Sequence, residues 1–139
     1  MSVRIKLLTA AISATALLVS TALPTTAQSL SDIPYPSGQW VSVAGNQNDQ
    51  TDVDVKTAQQ QGNFVRFWQR QLSNGFDINQ GKTTLLYTSV NCANHAYQFH
   101  RAVSFDSSGQ FKGQVDTPSK WRNSIPGSIG EALVQFVCQ

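Results

Sequence analysis

The chain has 139 residues with ten Lys and Arg against eight Asp and Glu, but Arg4 and Lys6 sit at the extreme N-terminus and residues 28–139 carry eight of each. A formally neutral body excludes the basic stripe that nucleic-acid binding needs and the polybasic cluster that draws proteins to anionic lipid. Its size suits one domain with one modest core.

Residues 1–27 read as a secretory signal peptide. Arg4 and Lys6 precede an apolar run from Leu7 to Val19, and Pro24 stands before the small residues Thr25-Thr26-Ala27. The run is short of the roughly 20 apolar residues of a membrane span. Cleavage after Ala27 is expected to leave no membrane anchor, since no cysteine lies there to accept a lipid. The expected location is the periplasm or the exterior.

Residues 28–38, with Pro34 and Pro36, form an irregular leader, and residues 39–139 a single domain. Gln39 to Val43 and Thr51 to Val55 alternate as short strands, the second with Val53 and Val55 on one face and Asp52 and Asp54 on the other. Asn63 to Leu72 is a stronger strand, with Val65 and Phe67 opposite Phe64, Arg66, Trp68 and Arg70. Asn74-Gly75 suits a tight reversal. Lys82 to Cys92 places Leu86, Val90 and Cys92 on one face, Asn94-His95 turns the chain, and Tyr97, Phe99, Val103 and Phe105 line up along the next strand. A turn at Asp106 to Gly109 leads to a strand at Gln110 to Val115.

The period then changes. Ser128-Ile129-Gly130-Glu131 has the spacing of a capping box, in which the Ser128 hydroxyl accepts from the amide of residue 131 and Glu131 reaches back to that of residue 128. Ile129, Ala132, Leu133, Phe136 and Val137 recur at helical spacing, with Cys138 at the edge of their face. A helix of about three turns is marginal alone and must dock. The expected fold is α+β, an antiparallel sheet with a C-terminal helix packed on it.

Two cysteines in an exported domain, Cys92 and Cys138, most simply form a disulfide. The alternative is a small periplasmic enzyme or metal-binding protein. Cys92, His95, His100 and Cys138 offer the ligand types of tetrahedral zinc, although their spacing is unlike common zinc modules. Asp52 and Asp54 offer paired carboxylates, against the plainer expectation of a solvated strand face. No G-x-S-x-G, H-E-x-x-H or phosphate-binding glycine loop occurs, and no catalytic residue, resident metal or cofactor is expected. The candidate binding face is Arg66, Trp68 and Arg70, because arginine and aromatic side chains commonly anchor interfaces. Its plainer reading is a tryptophan packed under a loop between two solvated arginines.

Trp40-Val41, the strand ending near Asp54, Arg66-Phe67-Trp68, Cys92 in a hairpin, Trp121, Pro126-Gly127-Ser128, Glu131 and Val137-Cys138 together resemble the bacterial surface-adhesin protein E family. The resemblance implies about six antiparallel strands, with the C-terminal helix held to the sheet by a Cys92–Cys138 disulfide. The family's founding member is a dimeric, outer-membrane-associated adhesin for host matrix and serum proteins. That implies a non-enzymatic binding module for a protein or envelope component, with a homodimer as a possible state. The missing lipid-acceptor cysteine departs from surface anchoring. No binding segment carries over residue by residue.

Overall fold

The computed structural model describes residues 32–73 and 82–139, so the signal peptide, the first part of the leader and the Asn74-Gly75 turn lie outside the described residues. Eight strands and one helix follow in order: β1 (Trp40–Gly45), β2 (Asp49–Asp54), β3 (Gln59–Gln61), β4 (Phe64–Ser73), β5 (Lys82–Asn91), β6 (Ala96–Phe105), β7 (Phe111–Val115), β8 (Arg122–Asn123) and α1 (Ile129–Val137). The expected α+β architecture is present. Six strands run β1-β2-β4-β5-β6-β7, and the short β3 and β8 pair with β4 and β6 off that path. All pairings are antiparallel.

Alternation along β4 assigns the two faces of the sheet. Val65 and Phe67 turn toward α1, where they form a core with Val53, Val90, Leu133 and Val134. The helix starts where expected, since the Ser128 hydroxyl accepts from the Glu131 amide at 3.2 Å. The reciprocal half of the box differs. Glu131 Oε2 accepts from the amide of Gly127 at 2.6 Å, because the Ser128 amide already donates to the Ile125 carbonyl at 3.0 Å. Gly130 lets the helix lie close on β6, since a Cβ there would stand 2.9 Å from Tyr97 Cε1. Cys138 ends the helix and bonds to Cys92, one residue beyond β5, with Cα atoms 5.6 Å apart across 46 residues of sequence.

Two expectations fail on register. Tyr87 pairs with Arg101 and Thr88 with Phe99, leaving His100 as an extra residue in β6. Such a bulge changes the phase of alternation. Tyr97 and Phe99 therefore share the helix side with their partners Val90 and Thr88, whereas Val103 and Phe105 pair with Leu85 and Thr83 on the opposite face. Val55 is the second departure. It falls past the end of β2 and is exposed rather than paired with Val53 inside.

On the opposite face the leader, which forms no strand in residues 32–38, lies over Trp68 and Asp54. The Trp68 indole Nε1 donates to the Pro34 carbonyl at 2.5 Å. This side has its own small core of Trp68 stacked at a tilt on Tyr87, ring centroids 5.3 Å apart. One sheet thus carries a helix on one face and an irregular strap on the other.

Candidate functional site

Arg66, Trp68 and Arg70 project from one face of β4, as alternation requires, but they do not form an open patch. Trp68 is 3% exposed, held beneath the leader and against Tyr87. Arg70 is committed to its neighbour in β2. Its Nε and Nη2 donate to Asp52 Oδ2 at 2.9 and 2.6 Å, and its guanidinium lies over the Trp40 ring at 4.8 Å. Trp68 and Arg70 belong to the architecture, and of the three only Arg66 lines a cavity.

The carboxylates of β2 are likewise not a solvated face. Asp52 is buried and accepts from Arg70 and, at 2.7 Å, from Gln50 Nε2. Asp54 is buried as well, tied to the leader through the Ser37 amide and hydroxyl and the Gly38 amide, and to the turn after β2 through the Lys56 amide. Burial pushes the Asp54 carboxyl up, but those hydrogen bonds, the Ser37 hydroxyl first, outweigh it and leave the group below its ordinary value. Buried carboxylates normally require such partners. Each is held as a structural anion, and the two do not converge on a shared opening.

The cysteine and histidine groups do not converge either. Both thiols are spent in the disulfide, so neither sulfur offers the thiolate a zinc site needs. His95 sits in the turn after β5 with φ 54°, a left-handed conformation at the reversal. His100 Nε2 lies 2.7 Å from Ser89 Oγ. A serine and an imidazole at that distance have the look of a nucleophile and its base. Ser89 is only 2% exposed, however, and among the described residues no carboxylate orients the other ring nitrogen. Burial lowers the affinity of His100 for a proton, and the charge of Arg66 lowers it further.

What the sheet does present is a cavity of about 450 Å³ lined by Gln59, Gln60, Gln61, Phe64 and Arg66. The short strand β3 builds its wall by pairing Gln59 with Arg66 and Gln61 with Phe64. Gly62, at φ 58°, supplies the left-handed residue of the two-residue turn between β3 and β4. Phe64 is 39% and Trp121 45% exposed, and their rings pair at 6.1 Å. Sequence reasoning missed the three glutamines, whose uniform polarity carries no alternation. Gly62-Asn63 ahead of the β4 pattern was the available signal.

Arg66 has no hydrogen bond or ion pair among the described residues, whereas Arg70 and Arg101 on the same face are bound to Asp52 and Asp116. The Tyr87 hydroxyl is buried without a hydrogen-bond partner. Burial raises its pKa, and the nearby Arg66 charge opposes that rise. Among the described residues of this face, Arg66 is thus a cation without an ion pair, near a buried hydroxyl without a hydrogen-bond partner. Among the described residues no helix is long and apolar enough to cross a membrane.

No curated protein and no solved structure matches the chain. The surface-adhesin protein E family matches over residues 40–139, which takes in every strand and the helix. With the sheet, the docked helix and the disulfide all inside that match, the chain belongs to the surface-adhesin protein E family.

Proposed function

We propose that this protein is a non-catalytic, exported binding module of adhesin type that recognises a protein or envelope component. The observation that carries this reading is the family match across the whole sheet-and-helix unit. The geometry supports it in a second way. The groups that suggested chemistry are engaged in holding the fold: Asp52 by Arg70, Asp54 by the leader, and the two cysteines by each other. A surface open to recognition is the cavity around Arg66, lined by Phe64, whose exposed ring pairs with that of Trp121. Arginine and aromatic side chains are the residue types that anchor interfaces.

The test is retention of the purified protein on immobilised extracellular-matrix proteins, serum proteins and isolated cell envelope. The proposal expects saturable retention on at least one of these, with no stoichiometric metal in natively purified protein. Retention on none, or a bound metal at one equivalent, contradicts it.

A further inference from the structure

We propose that the cavity at Arg66 is a site for an acidic saccharide, a pyranose bearing a carboxylate. This rests on the binding-module reading and names the ligand class of the same surface. Three observations converge. The first is charge. Arg66 lines the cavity and lacks an anionic partner among the described residues, although the other arginines of this face, Arg70 and Arg101, each hold one. A guanidinium presents a planar fork of donors that fits a carboxylate in bidentate fashion.

The second observation is the wall. Gln59 and Gln61, paired with Arg66 and Phe64, share their face of the sheet and place two side-chain amides at the opening, whereas Gln60 pairs with Val65 and turns to the other face. Each amide both donates and accepts, which is what adjacent sugar hydroxyls demand of a partner. The third is the apolar surface. Phe64 lines the cavity and its exposed ring forms a tilted pair with that of Trp121, and an aromatic face accommodates the C–H side of a sugar ring. A volume of about 450 Å³ lies within the range of roughly 300–1,000 Å³ usual for small-ligand sites.

Alternative anions fit less of this. A simple carboxylate or a peptide C-terminus engages Arg66 but leaves the glutamine wall and the aromatic pair idle. A nucleic acid phosphate backbone finds one unpaired cation here in a body with no net charge.

The experiment titrates the full purified protein with D-glucuronate, D-glucose, sodium acetate and glycyl-alanine, followed by ¹H–¹⁵N NMR. D-Glucuronate is expected to shift the Trp121 indole, the Arg66 Nε–H and the side-chain amides of Gln59 and Gln61 saturably, with each of the other three probes at least tenfold weaker. Arg66→Gln and Trp121→Ala should each weaken D-glucuronate binding at least tenfold. The pKa of His100 should rise on D-glucuronate binding, since the Arg66 charge that depresses it is then neutralised, and this rise should vanish in Arg66→Gln. An unchanged melting temperature and an intact disulfide show that both variants fold, and Trp121, being exposed, serves should Arg66→Gln be unstable.

Acetate or glycyl-alanine equal to D-glucuronate overturns the saccharide assignment, and D-glucose equal to it overturns the role of the charge. No saturable shift, or shifts that persist in both variants, overturns the site. Failure here with retention on a matrix protein intact removes only the saccharide inference. Loss of all retention removes the binding-module reading itself.

Discussion

Asp52 and Arg70 show how a residue pair is inverted by its partner. Asp52 is buried, and two donors of the half-buried Arg70 end on one of its oxygens. An exposed pair of this type contributes about 0–1 kcal/mol, but removing one member of a buried pair costs about 3–5 kcal/mol, because the other charge is left uncompensated. Arg70→Met is therefore expected to destabilise the fold by about 3 kcal/mol in urea melts. Asp52→Leu with Arg70→Met should recover much of that loss, since the stranded carboxylate goes too. A single-variant cost below about 1 kcal/mol, or no recovery in the double variant, would show that the pair is solvated. Asp54 makes the same point with pH. Its folded pKa lies below the ordinary 3.8, so its bonds to the leader contribute stability that is complete above about pH 4 and is lost as the pH falls through the folded value. Below about pH 4 the leader should release first, seen as solvent exchange at the Trp68 indole N–H ahead of the strand amides. Asp54→Asn should remove this acid step. Simultaneous exchange of the indole and the β4 and β5 amides would place the acid transition elsewhere.

The elements divide into those with a local signature and those without. Long alternation made β4, β5 and β6 legible, and the 3.6-residue recurrence with Ser128 made α1 legible down to its first residue, Ile129. The bulge at His100 has no such signature, because an inserted residue alters the partner strand's register and not the composition of its own. The face assignment of Val103 and Phe105 failed for that reason. The leader was equally opaque. Its prolines signal only irregularity, while its purpose as a cover over Trp68 depends on Asp54, 17 residues beyond Ser37. Asp52 and Asp54 misled for a related cause: carboxylates at alternate positions ordinarily mark a wet face, and only a tertiary partner reverses that. The cysteine bond was legible because it rests on compartment and count rather than on geometry. It fastens a nine-residue helix to the sheet across 46 residues of chain. Cys138→Ser is expected to cost about 2–5 kcal/mol, with the α1 amides losing exchange protection before those of β4 and β5. A loss spread evenly over helix and sheet would contradict the clasp.

At the scale of the molecule, α1 packs on one face of the sheet and the leader on part of the other, over Trp68 and Asp54. Most groups named as candidates for chemistry or binding prove to be fastenings: Asp52 to Arg70, Asp54 to Ser37, Cys92 to Cys138. The proposed recognition surface is the margin where β3 doubles back on β4, where Arg66, Gln59, Gln61 and Phe64 stand together and Phe64 pairs with Trp121. This margin was only partly legible. Arg66 was named from its strand, whereas Trp121 was noted as a family landmark and the glutamines were passed over. The account's central claim is that binding belongs to this margin and stability to the buried strip beside it. Surface plasmon resonance on whichever matrix, serum or envelope component retains the wild type, repeated for Arg66→Ser and for Trp121→Ser with melting temperatures recorded in parallel, tests it directly. The account predicts that both variants lose at least tenfold in affinity while melting within a few degrees of wild type. Variants that bind as well as wild type would contradict it, as would variants whose lost binding is matched by a collapse of the fold.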